Sequence, residues 1–174
     1  MRDKLRRRYQ VDKEVARNGY FEGEIALSKL TRLDDLLYRN SRGREDRKIA
    51  VRFEFLRNEY GVSILVGQLW AGLELECQRC LEALEMPVEL EFELMVDAGE
   101  DLLRDSSLDS IESEDGYIDI YAVVEDELML ALPLVAMHED IACNEHWPAA
   151  ETEPEAGNKD NPFAVLQQLK RQIK

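Results

Sequence analysis

Histidine is nearly absent, with two in 174 residues. It is the side chain whose ordinary pKa suits proton transfer near neutrality, so general acid–base catalysis has little to work with. The motifs of other chemistries are missing as well. There is no Gly-rich phosphate loop, no GxSxG turn and no HExxH, since the MHED around His138 lacks the second His. The expectation is a protein that is not an enzyme. Cysteine is scarce too: three, an odd number, with Cys77 and Cys80 too close together to form a disulfide framework. A reducing compartment fits that usage. No run approaches the roughly 20 apolar residues that cross a bilayer, and the basic start MRDKLRRR has no apolar segment behind it. A cytoplasmic protein with no membrane partner is expected.

Charge is abundant and unevenly placed. The net charge is −15. Residues 1–60 carry 16 Lys/Arg against 11 Asp/Glu, a net of +5, which leaves −20 for residues 61–174. A basic front can touch nucleic acid, whereas the acidic remainder repels phosphate and attracts basic proteins. Hydrophobic residues at 45% are enough for one folded domain of this length.

Periodicity gives the fold class. Leu30, Leu33, Leu36 and Leu37 share a helical face behind Ser28 as a candidate cap, and the Arg-rich stretch 39–48 reads as an exposed loop. From Ile49 the period is two. Ile49, Val51, Phe53 and Phe55 form one run, Val62, Ile64 and Val66 a second, Leu69 to Cys77 a third, and Leu84 to Val96 a fourth. These read as an antiparallel β-meander with one buried face. The opposite face carries Glu74, Glu76, Glu85, Glu89, Glu91 and Glu93, either a solvated surface or a dock for a basic partner. Residues 97–116 read as an acidic loop, Ile118 and Ile120 as a short strand, and Val123 to Leu132 as a helix ended by Pro133.

The expected organisation is an α+β domain over residues 1–147, an acidic linker over 148–160 and a tethered amphipathic helix over 161–174. That helix has Asn161 as cap, Pro162 in its first turn, and Phe163 and Leu166 on its apolar face. It either folds back or docks on a partner. A few helices flank a sheet of roughly four to six strands.

Two constellations carry chemistry. Cys77 and Cys80 form a CxxC between two strands, and Cys143 and His146 form a CxxH further on; together they make a candidate structural zinc site, with His138 a competing donor. The competing reading is three small cysteines and an incidental His. No helix begins at the CxxC, so thiol redox chemistry is set aside. Arg6, Arg7, Arg8, Arg42, Arg44, Arg47 and Lys48 are candidate contacts to RNA phosphates, with Tyr9, Tyr20 and Phe21 as stacking groups.

The ordered combination of LECQRCLE (75–82), EDELMLALPLVAMHE (125–139), Cys143 and NPFAVLQQLK (161–170) resembles the YceD family of large ribosomal RNA subunit accumulation proteins, and VARNGYFEGEIALSKLTRL (15–33) extends the likeness. The chain departs from the family pattern at Ala136, where Pro is expected. The resemblance implies a bacterial cytosolic factor for synthesis, processing or stability of large-subunit (23S) ribosomal RNA, without enzymatic activity. It does not supply His146 as a ligand, which comes from spacing. Two mechanisms follow. One is a binding factor that touches ribosomal RNA or a pre-ribosomal particle through the basic front; the other is an acidic adaptor that holds a basic ribosomal protein or RNA-modifying enzyme.

Overall fold

The two-residue apolar periods of residues 49–96 become three long strands laid side by side. The computed structural model describes residues 5–39, 47–97 and 109–143. The chain divides into two compact units, Met1–Glu139 and Asp140–Lys174. In the first, β1 (Arg8–Gln10) leads into α1 (Val11–Ala16) and β2 (Tyr20–Ala26), then a 3-10 turn (Leu27–Lys29) and the short α2 (Thr31–Asp34). β3 (Lys48–Arg57), β4 (Ser63–Glu76) and β5 (Ala83–Val96) follow, then β6 (Asp109–Ile111), β7 (Tyr117–Asp119) and α3 (Ile120–Ala131). The fold class is α+β.

The main sheet has the order β2-β3-β4-β5-β6. Its first four strands are an antiparallel meander, and β6 pairs in parallel with Leu94–Val96. β6 lies inside the stretch 97–116 read as loop; the remainder of that stretch up to Leu108 falls almost wholly outside the described residues. β1 and β7 form a separate two-stranded ribbon. Register explains the core. The row Phe21–Phe53–Gly67–Phe92 runs across four strands on the inner face, with Ile25–Ile49 and Phe55–Leu65–Leu94 in neighbouring rows. Tyr9 of β1 sits among Phe21, Phe53 and Phe55 at centroid distances of 4.4, 5.3 and 5.8 Å, which ties the N-terminal ribbon to the sheet.

Two sequence expectations change for packing reasons. The runs Val62–Val66 and Leu69–Cys77 read as separate strands of opposite parity. They are parts of one fourteen-residue strand, β4. The inward position between them is Gly67, where the ring of Phe92 fills the missing side chain's place: a Cβ there would come within 2.1 Å of Phe92 Cζ. Gly67→Ala is therefore expected to lower unfolding free energy by about 1–3 kcal/mol through overpacking. Urea unfolding of Gly67→Ala, Phe92→Leu and the double variant checks this. A double variant no more stable than the sum of its parts predicts would show that the two sites do not share the space.

The second change concerns α2. Ser28 lies in the 3-10 turn and does not cap; no side chain next to Thr31 in sequence caps α2. The acceptor comes from α3 instead. Buried Glu125 receives the N–H groups of Arg32 (2.5 Å) and Leu33 (3.1 Å) on Oε1, and Arg32 Nε donates to Oε2 at 2.9 Å. This places Leu30, Leu33 and Leu37 in the core, while Leu36 stays exposed. α3 itself starts as its sequence suggests, with Asp119 Oδ1 accepting from the N–H groups of Tyr121 and Ala122, and it ends before Pro133.

Candidate functional site

Cys77 is the buried residue directly after β4, and Cys80 follows in the tight connection to β5. The turn closes with Cys77 N–H donating to the Glu82 carbonyl at 3.0 Å and Leu81 N–H to the Cys77 carbonyl at 2.8 Å. Leu81 takes φ +62, a left-handed conformation that a branched side chain adopts only at a cost. The segment after α3 crosses this turn. Gln78 N–H donates to the Ala136 carbonyl at 2.8 Å, and His138 N–H reaches Cys77 Sγ at 3.5 Å. The Ala136 that departs from the family pattern is thus buried against the CxxC, and its neighbours Leu134, Val135 and Met137 stay exposed.

The outcome is convergence of three donors within the first unit. The ligand atoms of Cys77, Cys80 and His138 lie within 4.8 Å of one another. His138 Nδ1 is 3.3 Å from Cys80 Sγ, and Nε2 is 3.1 Å from the Ala83 carbonyl. A carbonyl only accepts, so Nε2 carries the proton and the Nδ1 lone pair faces the sulfur. That tautomer and second contact are what a metal-ligating histidine needs. Burial opposes ionisation of the Cys77 thiol, but the N–H groups of Cys80, His138 and Arg79 and the Cys80 thiol all favour its thiolate. Together they push its pKa down to about 5. Two thiols, one primed to ionise, and a correctly oriented imidazole form a donor set suited to zinc.

The sequence expectation put His146 in this group. His146 lies outside the described residues, and His138 is the histidine that the first unit brings to the CxxC. Its signal was available only as a lone His after an apolar run, since 58 residues separate it from Cys80. Cys143 stands in the second unit on the 3-10 turn Ile141–Cys143, where Asp140 Oδ1 receives Ala142 N–H at 2.8 Å.

The candidate RNA-contact cations are largely committed to neighbours. Arg6 binds Glu14 at 3.2 Å, Arg7 binds Asp119 at 2.8 Å, Arg47 binds Glu74, and Lys48 binds Glu24 at 2.7 Å, which raises the Lys48 pKa. Arg8 lies over the Tyr117 ring and Arg7 over Tyr121. Tyr9 and Phe21, expected as stacking groups, are buried in the core and unavailable; Tyr20 is partly exposed. Arg42, Arg44, Phe163 and Leu166 lie outside the described residues, as do the expected linker over 148–160 and the expected helix over 161–174. Arg7 and Arg8 border a cleft of about 700 Å³ that also presents Glu112, Glu114, Asp119 and Asp126. Carboxylates outnumber guanidinium groups there, an unfavourable environment for phosphate.

The exposed sheet face is acidic by rows. Three of its cross-strand rows, next to the Ala26–Lys48 pair whose Lys48 binds Glu24, are Tyr20–Glu54–Val66–Glu93, Glu22–Arg52–Gln68–Glu91 and Glu24–Ala50–Trp70–Glu89. Each holds two carboxylates and only one holds a cation. That cation, Arg52, lies over the Trp70 ring, while Trp70 Nε1 donates to Glu89 at 3.0 Å and Gln68 Nε2 to Glu91 at 2.6 Å. Glu74 and Glu85 stand directly opposite each other, and Arg47 offsets the first. Trp70 had no place among the sequence-derived candidates, because a single aromatic in an apolar run reads as core.

Residues 65–170 match the family model for the large ribosomal RNA subunit accumulation protein YceD. The protein of that name from Haemophilus influenzae is 37% identical over 131 residues, covering 70% of this chain and 73% of the relative. No solved structure matches the chain. Among the described residues, no helix is long and apolar enough to cross a membrane.

Proposed function

The chain belongs to the YceD family of large ribosomal RNA subunit accumulation proteins, and from that premise we propose that it is a cytoplasmic, non-catalytic factor supporting the accumulation of large-subunit ribosomal RNA by holding a basic protein partner. The observation that carries the mechanism is the acidic sheet face. Glu85, Glu89, Glu91 and Glu93 gather like charge along one exposed face of β5, and a cationic partner turns their mutual repulsion into affinity and fast association. A basic ribosomal protein or an RNA-modifying enzyme has the required charge. The RNA-gripping mechanism draws on Arg7 and Arg8 stacked on tyrosines, an arrangement that also suits unpaired bases. Committed ion pairs and the acidic cleft weigh against it.

Affinity capture of the tagged full chain from its own cells, with and without ribonuclease, separates the two. A basic protein is expected to survive digestion and to bind about tenfold or more weakly to a variant with Glu85, Glu89, Glu91 and Glu93 changed to Gln, with large-subunit ribosomal RNA reduced in cells carrying it. Loss of every partner on ribonuclease treatment would favour direct RNA contact.

The same factor is proposed to carry a structural zinc on Cys77, Cys80 and His138, with Cys143 as fourth ligand. Donor chemistry supports the first three. Cys143 follows His138 by five residues, a tether that reaches up to about 17 Å, so chain length sets no obstacle. Zinc here would cross-link the β4–β5 turn to the segment after α3, a folding role with no open coordination position for catalysis.

A further inference from the structure

Strand β5 is longer than its outer neighbour. β6 pairs only with Leu94–Val96, so among the described residues no strand lies beside the outer edge from Ala83 to Glu93. The direction of the backbone groups there follows from their partners in β4. The Glu74 carbonyl accepts Tyr38 N–H at 2.8 Å, and the Gly72 carbonyl accepts Arg47 Nη1 at 3.4 Å, so even-numbered residues of β4 turn these groups away from β5. In an antiparallel ladder their opposite residues do likewise. Glu85, Pro87, Glu89, Glu91 and Glu93 are those residues, and they face the open edge.

Three further contacts agree. Cys77 N–H donates across the ladder to the even-numbered Glu82, Asp97 N–H donates outward to the Ile111 carbonyl, and the outward Ala83 carbonyl meets His138 Nε2. Pro87, with no N–H to give, sits in the outward set, where an edge strand tolerates it.

Side chains flanking this edge have two characters. Glu85, Glu89, Glu91 and Glu93 line the outer face and are exposed; Leu84, Met86 and Leu90 line the inner face and are only partly covered by the core. A strand added here would place alternate residues beside the carboxylates and the rest over the three apolar groups. We propose that the open edge of β5 captures an extended segment of the partner by strand addition, the segment alternating Lys or Arg with apolar residues. This rests on the basic-partner reading above and adds how the partner is held. Carboxylates and a proline also keep two copies of such an edge from pairing. The same row repels its own kind and attracts a cationic strand.

The test uses the full chain and a synthetic peptide of about eight residues alternating Lys and Val, a usual strand length or slightly more. A second peptide of the same sequence is N-methylated at alternate residues, keeping its charge and losing the donors of one edge. The unmodified peptide is expected to slow amide exchange at Glu89, Glu91 and Glu93 and to bind about tenfold or more tightly than the methylated one. Glu91→Pro removes an outward N–H while leaving the ladder to β4 intact, and is expected to weaken binding beyond the charge control Glu91→Gln. Equal binding of both peptides would overturn strand addition and leave the acidic dock standing. Binding of neither would sink both. Slow exchange at the three amides in the free protein would show the edge already covered by the chain itself, which also overturns the proposal.

Discussion

Native protein purified without chelator is expected to hold one zinc ion per chain, and Cys77→Ser to hold none. Cys77 is the ligand whose loss costs most, because its sulfur is buried and already receives the N–H of His138 and those of the turn. A hydroxyl there is a poor zinc ligand and remains un-ionised. Binding to the folded chain alone stabilises it by about 2.7 kcal/mol when free zinc is about 100-fold above its Kd, so chelation should lower the unfolding temperature of the native protein and leave Cys77→Ser unaffected. Elemental analysis of Cys143→Ser and of His146→Ala then identifies the fourth ligand. Metal loss in the first alone supports Cys143. Native protein that is free of metal when prepared in zinc-containing medium would end the assignment.

Acid should act through the same sulfur. The folded Cys77 pKa, about 5, lies below the ordinary thiol value of 9.0. A depressed folded pKa contributes stability that is complete above the unfolded value, declines as pH drops between the two, and is gone once pH has fallen through about 5. Protons compete with zinc over the acidic end of that range. Metal release on titration from pH 8 to 4 is expected at about pH 5 and below, where Cys77 itself takes up a proton. Full retention at pH 4 would contradict a thiolate ligand of this kind.

Glu125→Ala is expected to destabilise the fold by about 2–4 kcal/mol, the sum of a lost helix cap and a lost charge-assisted bond. Glu125 is buried and is the acceptor for two α2 N–H groups and the Arg32 guanidinium, so its removal uncaps α2 and loosens Leu30 and Leu33. Glu125→Gln keeps an oxygen acceptor and should cost about 1 kcal/mol. Arg32→Ala should cost less than Glu125→Ala, because Arg32 is half exposed and also pairs with the exposed Asp126. Denaturant unfolding of the three variants checks the order. If Arg32→Ala proved as damaging as Glu125→Ala, the ion pair would matter and the cap would not.

The strands from Ile49 to Val96 were legible because side-chain alternation is a local property of extended backbone. Their acidic outer parity was legible for the same reason, as was α3, which carries its own cap in Asp119 and its own stop in Pro133. The reading failed at Gly67, where a residue without a side chain left a gap in the period that only Phe92, 25 residues away, explains. It failed again at Ser28, a locally sensible cap displaced by Glu125 from the far end of the first unit. The candidate RNA contacts of the basic front came from a sequence that counts charges one at a time. Folding paired Arg6, Arg7, Arg47 and Lys48 with carboxylates and buried Tyr9 and Phe21 among other aromatics.

By itself, then, the amino-acid order determined the α+β class, the meander, the acidic sheet parity and the presence of a CxxC turn, all of which depend on spacings of a few residues. The tertiary structure decided that His138 faces that turn, which of the described cations are paired, and which edge of β5 has no strand beside it among the described residues. Those outcomes depend on contacts between residues tens of positions apart, whose proximity is set by the packing of the whole unit and leaves no mark at short range.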